Sequence, residues 1–222
     1  MVGATHDGGL EMRVALFGAT GFVGNTVLEE LLRCGHQVTA LARTPDRVAA
    51  RPGLTVFAGD AGDPAAVARV VSGAEAVISC LGTPRKEKKP VDFLASATRN
   101  IIGAMKQSHL ERLVAISGAG ITIPGERKPF PHNAISALVG VLARKVVAAK
   151  QHEFSVLQES AGIAWTAVRP TRVVDGPATD RLRVEVDAGR MGMQVTRGDL
   201  ARFMVGQLTD QTYIRRAPFV SS

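Results

Sequence analysis

Short apolar runs rich in Val, Ile and Leu alternate along the chain with longer segments whose apolar positions recur every three or four residues. A strand buried on both faces reads as a near-continuous apolar run, and a helix lying on a sheet reads as an amphipathic repeat. The alternation therefore predicts an α/β fold, a single doubly wound parallel sheet with helices on both faces. Strands are predicted over residues 13–18, 37–42, 54–58, 74–81, 112–117 and 164–169. A helix over 22–34 is stopped by Gly35, which accepts a left-handed helix end. Asp63 and Pro64 provide an N-cap and a first-turn proline for the next helix, which Gly73 closes. Further helices are predicted over 91–107, 134–160 and 199–208, with proline- and glycine-bearing loops over 118–133 and 173–180.

No internal repeat or linker divides the 222 residues, which is room for one large domain. Residues 1–11 lack a periodic apolar pattern and are expected to form a flexible leader, with one domain over 12–222. No apolar run approaches the roughly 18 residues of a membrane span. No signal peptide is visible, so a cytoplasmic location with no membrane partner is expected. Cys34 and Cys80 are far apart and outside any paired-ligand spacing, which points to buried thiols and to no metal site. The net charge of +7 favours anionic partners, but the basic residues are scattered and aromatics make up 5% of the chain. Base stacking needs more aromatics than that, so nucleic acid is not expected as a partner.

The informative stretch is Val14-Ala-Leu-Phe-Gly18-Ala-Thr20-Gly21-Phe22-Val23-Gly24, a strand entering three glycines and then an amphipathic helix. Gly18 suits the tight turn, Gly21 lets backbone approach a diphosphate, and Gly24 lets the helix pack on the sheet. The unpaired N–H groups of the helix start then face the phosphates. The context is that of a Rossmann-like dinucleotide site, with the G-x-x-G-x-x-G spacing of short-chain dehydrogenase relatives. About 20 residues on, where a carboxylate would hold the ribose of NAD, the chain has Arg43. A guanidinium pairs with a 2′-phosphate, so the expected cofactor is NADP(H), with Arg47 able to reach the same group. Asp60 and Ala61 follow the third strand, where they would meet the adenine or serve only as a turn. Leu81, Gly82 and Thr83 follow the fourth.

Catalytic candidates are few. The Tyr-x-x-x-Lys pair of short-chain dehydrogenases is absent, because the single tyrosine, Tyr213, has Ala217 where the lysine should stand. Ser117 at the end of the fifth strand, Lys150 and His152 on the long helix, and His132 in the loop before it remain. The plainer reading of Ser117 is a hydroxyl that only bonds backbone or a cofactor amide, and Lys150 with Glu153 would suit a solvated helix pair.

Gly18-Ala-Thr-Gly-Phe-Val-Gly24, Leu41-Ala-Arg43, Ala58-Gly-Asp60, Leu81-Gly-Thr83, Arg99-Asn-Ile101 and Trp165-Thr-Ala-Val-Arg169-Pro170 resemble the atypical short-chain dehydrogenases of the NmrA-like type. Within them the chain resembles the biliverdin-IXβ reductase or NADPH-dependent flavin reductase group. The resemblance spans nearly all of residues 12–208. It implies that Gly18, Thr20, Gly21, Phe22, Val23, Gly24, Arg43, Arg47, Asp60, Ala61, Leu81, Gly82 and Thr83 line an NADPH site. Ser117 and Pro170-Thr171 would then lie beside the nicotinamide. The chain departs from the group in having Ser117-Gly118 where a Thr-Ser pair is usual, in Pro84, in a basic stretch over 85–89, and in a longer loop over 118–133.

The expected function is an NADPH-dependent reductase acting on a small conjugated acceptor such as a flavin, quinone or tetrapyrrole, as a monomer or small homo-oligomer. Loops over 84–93, 118–133 and 171–197 would select the substrate. Two alternatives are a non-catalytic NADP(H) sensor and a sugar or polyketide carbonyl reductase or epimerase. The second would need Lys150 or His132 as general acid.

Overall fold

Residues 13–17 show how the sheet is built. Val14 and Leu16 enter one hydrophobic cluster and Ala15 and Phe17 the other, and all four are buried, as expected of a strand covered on both faces. In the computed structural model the described residues are 11–82, 91–123, 126, 130–186 and 192–222, with the backbone alone described over 130–143. The main sheet contains β1 (Arg13–Phe17), β2 (Gln37–Ala42), β3 (Leu54–Ala58), β4 (Ala76–Ser79), β5 (Arg112–Ile116), β6 (Ala164–Pro170), β8 (Arg183–Glu185) and β10 (Phe219–Ser221). Their order is β3-β2-β1-β4-β5-β6-β10-β8, and every pairing is parallel except β10 with β8. A small parallel pair, β7 (Arg172–Val174) with β9 (Gln194–Thr196), lies beside it.

Helices α1 (Phe22–Arg33) and α5 (Arg197–Gly206) pack together on one face through Leu28, Leu31, Leu200 and Met204. On the other face lie α2 (Pro64–Val71), α3 (Phe93–Gln107) and α4 (Phe130–Glu159), with Val67, Ile101, Phe154 and Leu157 facing the sheet. The Asp63 carboxylate caps α2 by accepting the Ala65 N–H at 2.9 Å.

All six predicted strands are present, with the fourth shortened at both ends. The doubly wound parallel sheet is as expected, and at its far edge β10 inserts beside β6 and a short β8 joins it antiparallel. The expected loop over 171–197 carries β7, β8 and β9. Each is three residues long, too short for periodicity to register, and each pairs with a partner distant in the chain. The loop over 118–133 also ends earlier than expected, because Phe130 already begins α4. Pro131 read as a loop residue, but in the first turn of a helix its missing N–H has no intrahelical partner to lose. Residues 1–10 and 83–90 lie outside the described residues, and with them nearly all of the expected leader and the basic stretch over 85–89.

Candidate functional site

From β1 the chain steps outward to β2 and β3, then crosses back to place β4 on the other side of β1. Such a reversal leaves a crevice at the carboxyl ends of the two strands around which it occurs. A cleft of about 410 Å³ opens there, lined by residues following β1, β2, β3, β4 and β5 and by the start of α1.

The glycine turn has the geometry that a close approach demands. Gly18 has φ of +86°, and a Cβ there would sit 2.7 Å from the Cys80 carbonyl oxygen. A Cβ on Gly24 would sit 2.0 Å from the Gly18 oxygen, so α1 comes as near the turn as only glycine allows. The Gly21 N–H is used within the turn, on the Gly18 carbonyl at 3.0 Å, and the first helical bond runs from Asn25 N–H to the Gly21 carbonyl. Gly21 provides no side-chain cap. The amides of Phe22 and Val23, both lining the cleft, are therefore left without an intrahelical acceptor at the positive end of the helix. The turn thus fits a diphosphate through those two amides rather than through Gly21's own.

Arg43 is the first residue after β2 and lies exposed on the same lining, with Asp60 and Ala61 from the end of β3. One carboxylate oxygen of Asp60 accepts the Gly62 N–H at 2.8 Å, so it shapes the turn as well as facing the cleft. Asn100 of α3 donates to the Ala61 carbonyl at 3.0 Å and steadies this wall.

Ser117, Lys150, Cys80 and Leu81 form the opposite end. The Ser117 N–H completes the sheet on the Val168 carbonyl at 2.7 Å. Its hydroxyl, on a residue only 8% exposed, has no hydrogen-bond partner among the described residues. Such an orphaned polar atom in a cleft fits a ligand amide or carbonyl. Burial pushes the Cys80 thiol up to about 12, against the opposing influence of Lys150, and leaves it protonated and unreactive at neutral pH.

The solvated Lys150–Glu153 pair suggested by sequence is instead buried, with side chains 10% and 2% exposed and Nζ 2.7 Å from the carboxylate. A three-residue spacing on a helix reads alike whichever way that face turns. Burial raises the Glu153 carboxyl above its ordinary range, while Lys150 and a hydrogen bond from Thr98 pull it back.

The cleft thus gathers Gly18, Thr20, Gly21, Phe22, Val23, Arg43, Asp60, Ala61, Leu81, Gly82, Ser117 and Lys150. Gly24 lies beneath the turn as a packing residue. Arg47 stands exposed on a single 3₁₀ turn beyond the lining. Pro170 and Thr171 are not among the described residues bordering the cleft; Pro170 pairs with Val220 of β10, and the Thr171 N–H donates to the Val220 carbonyl at 3.1 Å. Thr83 lies outside the described residues.

His132 belongs to α4 rather than to a loop, and its side chain lies outside the described atoms. It is 18 residues from Lys150 along α4, which is roughly 27 Å at helical rise, so the two do not converge. His152 meets Asp92 on the surface, Nδ1 to Oδ1 at 2.6 Å. Tyr213 packs against Phe203, ring centroids 6.0 Å apart, away from the cleft. Beyond Phe17, Leu41, Ala42 and Gly59, which adjoin expected residues in the chain, sequence reasoning missed Phe93, Cys80 and Ile116 in the lining. Cys80 follows β4 and Ile116 is the last residue of β5, so both were legible from the rule that ligands sit at the carboxyl ends of strands; Phe93 carried no signal.

A second cavity of about 490 Å³ lies on another flank of α4, over Trp165 and Phe154. Its polar groups are largely occupied within the protein. Arg169 makes two 2.8 Å bonds to Glu126, and Arg215 donates to the carbonyls of Ser160 and Gln158. No helix among the described residues is long and apolar enough to cross a membrane.

The family described as NAD(P)H-binding matches residues 18–211. A 3-beta-hydroxysteroid dehydrogenase of Mycolicibacterium neoaurum is 28% identical over 124 residues, covering 51% of this chain and 34% of that protein. The chain thus spans about a third of that relative's length. An isoflavone reductase homolog of Zea mays is 26% identical over 204 residues, 87% of this chain and 63% of its own. Among solved structures, ChuY, an anaerobillin reductase from Escherichia coli O157:H7, shares the fold with a TM-score of 0.76 at 22% identity, over 94% of this chain and 96% of that one.

Proposed function

Because the chain belongs to the NAD(P)H-binding family, we propose that it is an NADPH-dependent reductase transferring hydride to a small conjugated acceptor, such as a flavin, quinone or tetrapyrrole-like compound. The observation that carries this reading is the poverty of acids at the Ser117 end of the cleft. Among the described lining residues the titratable groups there are Cys80, whose thiol is pushed up to about 12, and Lys150, whose ammonium is bound to three protein oxygens. Reduction of an isolated carbonyl calls for a positioned acid. A conjugated acceptor spreads the incoming charge and takes its proton from water, so holding the partners in place supplies most of the acceleration.

NADPH, when bound, supplies the hydride. The protein's part is to hold the diphosphate on the Phe22 and Val23 amides, the 2′-phosphate on Arg43, and the reacting end against the Ser117 hydroxyl. The relatives include reductases and a dehydrogenase, which supports the reaction class without naming the substrate. The reading carries with it a cytoplasmic location, a monomer or small homo-oligomer, and neither nucleic acid nor membrane as partner.

The test is NADPH oxidation, followed spectrophotometrically, with a panel of flavins, quinones and linear tetrapyrroles. Turnover of at least one, with NADPH preferred over NADH, is expected. Tight NADPH binding with no member reduced would favour the sensor instead.

A further inference from the structure

A strand carbonyl loses its ladder partner where the neighbouring strand stops, and a buried carbonyl must then find another donor. β4 ends at Ser79, paired with Ala115, so the carbonyls of Leu81 and Ile116 lie beyond the β4–β5 ladder. Lys150 supplies the missing donor to both. Its Nζ is 2.8 Å from the Leu81 oxygen and 2.7 Å from the Ile116 oxygen, and its third contact is Glu153 Oε2 at 2.7 Å. An ammonium has three N–H groups and no lone pair, so this set uses it completely. Thr98 of α3, with its hydroxyl 3.5 Å from the other Glu153 oxygen, joins the pair to the neighbouring helix.

We propose that Lys150 is a positioning residue, whose ammonium, neutralised by Glu153, brackets the diverging ends of β4 and β5. By doing so it sets the spacing of Gly82 and Ser117 across the reacting end of the cleft. The two carbonyls it holds share peptide units with the N–H groups of Gly82 and Ser117. In a trans peptide those N–H groups point the opposite way, so anchoring the oxygens also aims the amides. Ser117 shows the result, its N–H directed to β6 and its hydroxyl left in the cleft. Val146, four residues before Lys150 and 44% exposed, stands where a phenol for this lysine to activate would be needed.

The proposal rests on reading the cleft as the nucleotide site, and its test separates the two. Lys150→Met alone leaves Glu153 buried without a counter-ion, so it is paired with Glu153→Gln, and Lys150→Arg is the conservative variant. In the double variant the NADPH Kd and KM are expected to rise about tenfold to a hundredfold, as the loss of one or two well-aimed hydrogen bonds to the nucleotide would produce. The pH profile of kcat should keep its shape, and amide exchange at residues 80–82 and 116–118 should accelerate. Lys150→Arg, which still donates to carbonyls, should recover most of the NADPH affinity, and it carries the same readouts if the methionine variants do not fold.

Unchanged exchange and unchanged NADPH affinity would overturn the bracket. So would loss of kcat with loss of one limb of its pH profile at unchanged NADPH affinity, which would make Lys150 the proton donor. If the wild-type protein binds neither nucleotide, the cofactor reading fails. Amide exchange, which needs no ligand, then decides the bracket alone: acceleration supports it and no change refutes it.

Discussion

Replacing Arg43 by alanine isolates the group proposed to distinguish the two nicotinamide cofactors. A 2′-phosphate carries between about one and a half and two negative charges at neutral pH. A unit charge pair about 4 Å apart is worth about 1 kcal/mol in bulk water and about 4 kcal/mol at the effective dielectric of a protein surface. Arg43 is exposed at the lip of the cleft, which places it towards the water end of that range. With the doubled charge of the phosphate, the loss for NADPH comes to about 2 kcal/mol, or roughly thirtyfold in Kd. NADH lacks the phosphate and should lose little. Raising the salt should shrink the difference, because exposed charges are screened. Calorimetric titration of both nucleotides into both proteins, at low and moderate salt, measures all of these quantities. Equal losses for NADPH and NADH would show that Arg43 does not read the 2′-phosphate.

Two further predictions concern the frame around the site. In Gly24→Ala the new Cβ meets the Gly18 carbonyl, which is backbone and cannot swing aside. A cost of about 3 kcal/mol is expected, lowering Tm by roughly 6–12 °C in a domain of this size. Gly103→Ala, in mid-α3 where the added Cβ meets nothing within 4 Å apart from its chain neighbours and its own helix backbone, should instead be neutral or stabilising, and equal melts for the two variants would refute the packing account. Burial pushes the Asp199 carboxyl up, but the Thr179 N–H at 2.7 Å and hydroxyl at 2.8 Å, with hydrogen bonds from Ser222 and Thr196, hold it below its ordinary range. A carboxyl depressed on folding contributes stability above its unfolded pKa and loses it as pH falls through the lower folded value. Melting from about pH 6 to about pH 2 should therefore show an acid limb that Asp199→Asn flattens, and parallel curves would count against the linkage.

The local pattern of the chain determined what depends on neighbours in sequence. Runs such as Val14 to Phe17, apolar at every position, required a strand covered on both sides. Glycine at 18 and 24 required a turn and a helix pressed together, and an arginine rather than a carboxylate after the second strand set the expected charge at the ribose. Each of these follows from sterics or electrostatics within a few residues. Only the tertiary structure decided which distant segments meet. It turned Lys150 and Glu153 inward onto the ends of β4 and β5, set β10 beside Pro170, and brought Phe93 into the wall of the cleft. A side chain's environment is set by what packs against it from elsewhere in the chain, and residues spaced by three or four read alike in sequence whether they face water or the interior.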